Sequence, residues 1–100
     1  MTDILGTLTA PGTVQTSNIS RHEHHKISII VSGISETVVL RIEDVSLGTT
    51  NPINLHGSGD NFSLTEDGGY SYLIENERFD KLQFNFVSGT ATIKIHYGGW

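Results

Sequence analysis

Three of the chain's five histidines lie in one short segment, residues 21–26. On an extended strand, His22 and His24 point to the same side, and this spacing can supply two ligands to a zinc ion. The segment lacks the zinc-protease pattern, because Lys26 stands where that pattern requires a second histidine. Polar side chains facing solvent at the start of a strand explain the same residues. Histidines that gain charge near pH ~6.5 and so modulate an interface are a third alternative.

Two acidic, glycine-containing segments, residues 57–61 and 66–69, carry the oxygen-bearing side chains that calcium prefers. Neither segment has the acidic spacing of the EF-hand calcium loop. Ordinary turn chemistry explains both segments more simply, since Gly, Asp and Asn tolerate left-handed backbone conformations. The sequence contains no nucleophile elbow, phosphate-binding loop or other catalytic motif. We therefore predict a protein that is not an enzyme and that has no catalytic residues, metal or cofactor.

Aromatic and apolar side chains in polar surroundings are the candidates for partner contacts. Tyr70 and Tyr72 share one face of a predicted strand, and together with Trp100 they could form a sugar-stacking platform, although the same face fits a core. Trp100 follows two glycines, which favours an indole that is docked on the domain or used at a subunit contact. Near the start of the chain, apolar residues interrupt a Thr-, Ser- and Gly-rich stretch. The predicted partner-binding residues are Ile4, Leu5, Leu8 and Trp100.

Composition and charge exclude several classes of protein. The chain has no cysteine, so disulfides, thiolate metal sites and cysteine nucleophiles are excluded. Acidic residues outnumber basic ones by eleven to six, and a net charge of −5 disfavours nucleic-acid binding. No apolar run approaches the ~20 residues of a membrane helix. The first residues also lack the basic and apolar regions of a signal peptide.

Alternating apolar and polar residues predict the main strands. From residue 79 to residue 100 the alternation continues on both sides of Ser88-Gly89, which predicts a hairpin with these two residues as its loop. Phe84 would then pair with Ile93, and every apolar side chain would lie on one face. An antiparallel sheet with one apolar face packs against a second layer.

A second hairpin is predicted where residues 24–31 and 36–43 alternate on either side of a turn, so that Ile29 pairs with Val38. Seven or eight short strands at regular spacing, without helical periodicity, are typical of a single-domain antiparallel β-sandwich or a small barrel. Residues 1–20 are interpreted as an N-terminal arm or edge strand, and residues 21–100 as the β-sandwich domain. The shorter predicted strands cover residues 53–56, 62–65 and 70–75.

Several segments resemble small virion proteins of tailed phages. In those proteins a strand leads into a Gly-Ser-Leu-Asp-Gly-Thr-Asn turn, and residues 39–55 have a related strand and turn. The match covers about residues 25–100 and is most similar to capsid decoration (cement) proteins. Its other motifs are a Gly-Tyr strand at 69–72, a Phe-Asp-Lys-Leu-like strand at 79–86, a Ser-Gly-Thr-Ala-Thr-Ile turn and strand at 88–93, and Tyr-Gly-Gly at 97–99.

The resemblance implies an all-β, jelly-roll-like sandwich that binds the outer capsid surface and stabilises the shell. The implied partner is the major capsid protein, and a homo-oligomer, either a trimer or a dimer, would match the symmetric positions of a capsid. The expected location is the capsid exterior of the virion, after synthesis in the host cytoplasm. A carbohydrate- or host-surface-binding module of a tail or fibre protein is the alternative function.

Overall fold

The computed structural model describes the backbone of residues 2–53 and 61–100, and the side chains from residue 5 onward in those ranges. The strands are antiparallel and belong to one hydrogen-bonded network. In the described residues, no helix is long and apolar enough to cross a membrane. The seven strands are β1 (Thr2–Leu8), β2 (Gly12–Gln15), β3 (His24–Ser46), β4 (Thr49–Ile53), β5 (Asn61–Leu64), β6 (Gly68–Glu75) and β7 (Lys81–Gly99).

Two long strands, β3 and β7, form a ribbon that organises the whole fold. They pair along nearly their full length, from His25 opposite Gly99 to Val45 opposite Lys81. A straight strand of 19 residues would span about 60 Å, whereas the longest dimension of the molecule is 38 Å. The ribbon therefore bends near its middle, and its two halves form the two layers of a β-sandwich. The predicted all-β sandwich is confirmed.

The bend requires irregular pairing and one glycine. The register of the ribbon shifts three times between Ser32 and Leu40, as expected where β-bulges bend a strand. Buried side chains of β3 occupy odd positions before the bend and even positions after it, so the apolar side chains stay inside. On β7, Gly89 has φ +116°, and a Cβ atom there would lie 2.8 Å from the Val38 Cα. Only glycine fits this crossing of the two chains.

The remaining strands widen each layer. In the first layer, β1 and β6 flank the second half of β7 and the first half of β3. In the second layer, β2 flanks the first half of β7, while β4 and β5 pair with the second half of β3. The core between the layers holds Ile27, Ile29, Val31, Val38, Leu40, Ile42, Phe62, Leu64, Leu82, Phe84, Phe86, Ile93 and Ile95, with Ile19 and Phe79 from the connecting segments.

Both predicted hairpins are wrong, although the predicted faces are right. Phe84 pairs with Val14 and Ile42 instead of with Ile93. Ile29 pairs with Tyr70 and Ile95 instead of with Val38. Ser88-Gly89 lies at the bend of the ribbon, where β7 passes from one layer to the other. The apolar alternation leads to the same buried face in either pairing, so it specifies which side chains are buried but not which strands pair.

The first 20 residues contribute two edge strands, because β1 and β2 both pair with β7. The division of the chain at residue 20 remains a prediction. Residues 54–60 lie outside the described residues, and with them most of the predicted strand 53–56 and of the first calcium candidate, residues 57–61.

Candidate functional site

The outer surface of the first layer, here called the Trp100 face, is the candidate site. Backbone hydrogen bonds join Trp100 to His24 in both directions, so the backbone of Trp100 extends the ladder between β3 and β7. Its indole therefore lies on the outward side of the layer, like the side chain of His24. Three of the five exposed large apolar side chains of the described residues lie here, namely Ile30 (45% exposed), Leu73 (55%) and Trp100 (57%). Exposed apolar side chains gathered on one face mark interaction surfaces. Its other outward side chains are His24, Lys26, Ser28, Ser71, Glu75, Lys94 and His96.

The Trp100 face is cationic on a chain whose net charge is −5. Lys26 and Lys94 are exposed there, and Glu75 is the acidic side chain at the outward positions of the described parts of β3, β6 and β7 in this layer. The ion pairs of the described residues involve arginines, so both lysines lack a carboxylate partner there. The face therefore combines apolar contact area with uncompensated positive charge.

A shallow hollow of about 300 Å³ lies at one end of the Trp100 face. Trp100 and Tyr72 border it, together with Lys26, Ser71 and Leu73. Burial and the neighbouring Tyr70 raise the pKa of Tyr72, so its hydroxyl stays protonated. The sequence left the face of Tyr70 and Tyr72 open between a sugar-stacking platform and a core, and the structure shows that it is core. Tyr72 pairs with the buried Ile27 and its ring lies 5.7 Å from that of Phe62, so its side chain lies on the inner side of the layer, whereas the indole of Trp100 lies on the outer side. Tyr70 lies outside that hollow and donates a hydrogen bond to the Glu66 carbonyl at 2.6 Å.

A buried histidine–tyrosine pair holds β7 in place beside Trp100. His25 is fully buried, with its Nε2 2.8 Å from the Glu77 carbonyl and its Nδ1 2.5 Å from the Tyr97 hydroxyl. A carbonyl only accepts hydrogen bonds, so Nε2 carries the proton and the Tyr97 hydroxyl donates to Nδ1. Burial lowers the pKa of His25, and the hydrogen bond to Glu77 opposes this shift only partly. Burial raises the pKa of Tyr97 to about 12.

The outer surface of the second layer is polar, and its side chains form hydrogen bonds with one another. Glu43 accepts hydrogen bonds from Gln83 at 3.0 Å and from Asn85. Asn85 in turn accepts from Thr13 at 2.8 Å, and Gln83 accepts from Gln15 at 2.5 Å. Because these groups bind one another, this surface offers fewer open donors and acceptors than the Trp100 face does.

The structure separates the histidines that the sequence placed together. His24 stacks on Trp100, His25 is buried against Tyr97, and His22 lies beside Gly99. No group of three metal-ligating side chains occurs within residues 2–53 and 61–100. In the second calcium candidate, Asp67 accepts hydrogen bonds from the backbone amides of Gly33 and Ile34, both at 3.0 Å. These bonds lower the pKa of the Asp67 carboxyl group and anchor this loop to the bend of β3.

The four predicted partner-binding residues fall into two places. Leu5 and Leu8 lie on β1 and are half-buried against the core. The backbone of Ile4 pairs with that of His96, and its side chain lies outside the described residues. Trp100 is exposed on the other side of the sheet. Sequence reasoning missed Lys26, Ile30 and Leu73 as site residues, although an isoleucine among the outward positions of β3 was a detectable signal.

Comparison with known proteins shows similarity at the level of the fold. No protein-family model matches the sequence, and no curated protein matches it. Among solved structures, the chain is similar to the SPBc2 prophage-derived protein YomS, with a TM-score of 0.62 and 12% identity over 97% of this chain and 88% of that chain. It is also similar to CpGH89CBM32-6 produced by Clostridium perfringens, with a TM-score of 0.55 and 20% identity over 94% of this chain and 74% of that one.

A third similar structure is the carbohydrate-binding module CBM36 in complex with calcium and xylotriose. Its TM-score is 0.50, with 14% identity over all of this chain and 88% of that chain. The structural neighbours thus include a prophage-derived protein and carbohydrate-binding modules, all with all-β folds. At these identities the likeness establishes the fold alone.

Proposed function

We propose that this protein is a non-enzymatic structural protein of a phage virion that binds the outer surface of the capsid and stabilises the shell. The observation that carries the proposal is the Trp100 face, which joins exposed apolar side chains to unpaired lysines on an acidic chain. Aromatic side chains on such surfaces supply much of the energy of protein–protein contacts, and charged residues around them steer the encounter. The resemblance of residues 25–100 to decoration proteins supports the same function.

The partner in this proposal is the major capsid protein, through a surface that is apolar at its centre and acidic at its rim. Lys26 and Lys94 would then meet carboxylates, and Trp100 would enter an apolar depression. A symmetric pairing of two Trp100 faces would bring together two surfaces that both carry net positive charge, which weighs against an isologous dimer through this face. Contacts within a trimer or dimer would instead use other surfaces, such as the edge strand β1 with Leu5 and Leu8.

The stabilising role follows from the number of copies. A capsid presents hundreds of equivalent positions, so a modest free energy of binding at each position adds up to a large resistance of the whole shell. The prophage-derived neighbour is a protein of nearly the same extent, since the match covers 88% of its length. This likeness of fold to a prophage-derived protein supports a phage-related role.

Location in the particle tests this proposal directly. Antibodies against the purified protein are applied to intact virions and imaged by immunogold electron microscopy. We expect gold particles distributed over the capsid surface. Labelling confined to the tail or its fibres would contradict capsid decoration and support the second candidate, and virions without the protein would contradict both.

The second candidate is a carbohydrate-binding module of a tail or fibre protein. The hollow beside Trp100 favours it, because an exposed indole stacks on the apolar face of a sugar ring while Lys26 and Ser71 hydrogen-bond the hydroxyl groups. A glycan array with the wild-type chain and the Trp100→Ala variant tests this candidate. Retention of a specific glycan that the variant loses would support it, and an array without any specific glycan would contradict it.

A further inference from the structure

A second cavity lies on the side of the first layer away from the hollow, between β1, the segment that joins β2 to β3, and the end of β7. Its volume is about 90 Å³, enough for a group of several heavy atoms. Ser17, Asn18, Arg21 and His22 line it from the connecting segment, and Tyr97 lines it from β7. It is therefore distinct from the Trp100 face.

The connecting segment supplies hydrogen-bond donors to this cavity. The Arg21 guanidinium only donates, and the Asn18 Oδ1 atom already accepts from the Ser20 amide at 3.1 Å and the Ser20 hydroxyl at 2.7 Å. The amide nitrogen of Asn18 is thus its remaining polar atom. The described residues that line the cavity include no carboxylate. A ligand held by these groups must accept hydrogen bonds and is favoured by negative charge.

The charge of Arg21 is not neutralised by its acidic neighbours. Glu23, two residues further along the chain, forms its ion pair with Arg78. Asp80 accepts a hydrogen bond from the Leu47 amide at 3.2 Å, at the turn between β3 and β4. Among the described residues Arg21 has no ion pair. A planar carboxylate matches the two parallel N–H groups that a guanidinium presents.

The hydroxyl oxygen of Tyr97 is a hydrogen-bond acceptor at this cavity, which favours a ligand that carries a hydroxyl group. Its hydroxyl proton is directed to His25 Nδ1, because Nε2 of that ring donates to the Glu77 carbonyl. Towards the cavity the Tyr97 oxygen therefore offers a lone pair, which accepts a hydrogen bond from a ligand hydroxyl. Gly99 leaves space beside this oxygen, since a Cβ atom there would overlap the Tyr97 hydroxyl and lie 2.9 Å from His22 Cδ2.

We propose that this cavity binds a small carboxylate that carries a hydroxyl group. Arg21, with the donors of His22 and Asn18, holds the carboxylate, and the Tyr97 oxygen accepts the hydrogen bond from the hydroxyl. A free 2-hydroxy acid and the terminal residue of an acidic sugar chain share this chemistry. The site does not depend on capsid binding, because none of its residues lies on the Trp100 face.

Titration of the full chain with glycolate and with acetate, followed by NMR chemical shifts of the backbone amides, tests the proposal. Glycolate adds a hydroxyl to acetate, so one further hydrogen bond predicts binding about 5-fold tighter for glycolate. Saturable shifts are expected at Arg21, His22 and Gly99. No saturable shift with either ligand overturns the proposal, and so does acetate binding as tightly as glycolate does.

Variants assign the two roles separately. Arg21→Ala is expected to weaken glycolate binding at least about 10-fold, whereas Lys94→Ala, which removes the same charge from the Trp100 face, leaves it unchanged. Tyr97→Phe is expected to abolish the preference for glycolate over acetate. If this variant does not fold, the comparison of glycolate with propionate on the wild-type chain tests the same hydrogen bond, and equal affinities overturn the role of Tyr97.

Titrations with glucuronate and with phosphate identify the source of the ligand. The Trp100→Ala variant shows whether this site is independent of the proposed capsid-binding face. Glucuronate binding more tightly than glycolate supports the proposal and assigns an acidic sugar as the source, while phosphate binding without any carboxylate binding overturns it. Trp100→Ala is expected to keep wild-type affinity for glycolate. Loss of glycolate binding in that variant would contradict the independence of the two sites.

Discussion

The indole of Trp100 stacks on the imidazole of His24, with the ring centroids 5.4 Å apart and the planes inclined by 21°. Backbone hydrogen bonds between the same two residues, at 3.0 and 3.1 Å, hold the indole in register with the sheet. The exposed side of the ring is therefore presented on an ordered surface instead of on a free segment. An aromatic group that is ordered before binding loses little side-chain entropy on contact, which suits a docking anchor.

Replacement of Gly89 tests the bent ribbon. Gly89→Ala combines a backbone conformation that alanine rarely adopts with an overlap against the neighbouring strand, so we expect a loss of about 3 kcal/mol in the free energy of unfolding. Gly33→Ala is the matched control, because Gly33 also has positive φ but nothing lies within 4 Å of the added Cβ. We expect it to lose about 1 kcal/mol. Equal losses in urea unfolding would argue against the close crossing at the bend.

The stability of the protein is expected to fall as the pH drops below about 6.5. Burial lowers the pKa of His25 in the folded chain, so below the ordinary histidine pKa the unfolded chain binds a proton that the folded chain resists. Urea unfolding at pH 8 and pH 5 measures this loss. His25→Gln removes the titrating group and is expected to reduce the difference between the two pH values, while His96→Gln keeps it. An undiminished difference in His25→Gln would contradict this explanation.

Removal of the Tyr97 hydroxyl is expected to destabilise the fold even at neutral pH. Tyr97→Phe leaves Nδ1 of the buried His25 without a donor, at an expected loss of about 1–3 kcal/mol. Tyr70→Phe, whose hydroxyl is bonded at an exposed site, is expected to lose less than about 1 kcal/mol. Thermal unfolding of the two variants distinguishes them, and similar losses would contradict the role of the buried pair.

Alkaline pH provides an independent test of the same pair. Burial raises the pKa of Tyr97 to about 12, whereas a tyrosine in the unfolded chain ionises near pH ~10. The contribution of Tyr97 to stability is therefore present below pH ~10 and decreases as the pH rises towards the folded value. Tyr97→Phe is expected to lack this part of the alkaline loss. The same alkaline loss in wild type and variant would show that Tyr97 does not cause it.

The sequence contained enough information for the faces of the long strands but not for their partners. Phe84 and Ile93 were both expected to be buried, and both are. Their partners lie far away along the chain, because Phe84 pairs with Ile42 and Ile93 pairs with Val31. Local alternation favours pairing with the nearest strand along the chain. It carries no information that a strand of 19 residues bends and continues in a second layer.

Of the Trp100 face, the sequence predicted Trp100 but not the residues that surround it. Trp100 was predicted as a partner-binding residue, whereas the face of Tyr70 and Tyr72 fitted either a sugar platform or a core and lies against the core. Lys26 and Leu73 join Trp100 only because β3 and β6 pair in a particular register. The histidine segment shows the same limit. Its alternation predicted that His22 and His24 lie on the same side of a strand. In the structure His22 lines the cavity beside Tyr97, whereas the ring of His24 stacks on the indole of Trp100.

The most direct test of capsid binding through the Trp100 face is the affinity of the purified chain for isolated capsid shells, measured by co-sedimentation. We expect Trp100→Ala to weaken binding by about 2 kcal/mol, or about 30-fold. Leu47→Ala is the matched control, because Leu47 is 95% exposed and lies in the turn after β3, away from this face. It should bind like the wild type. Wild-type affinity of Trp100→Ala for the shells would contradict the proposed docking surface.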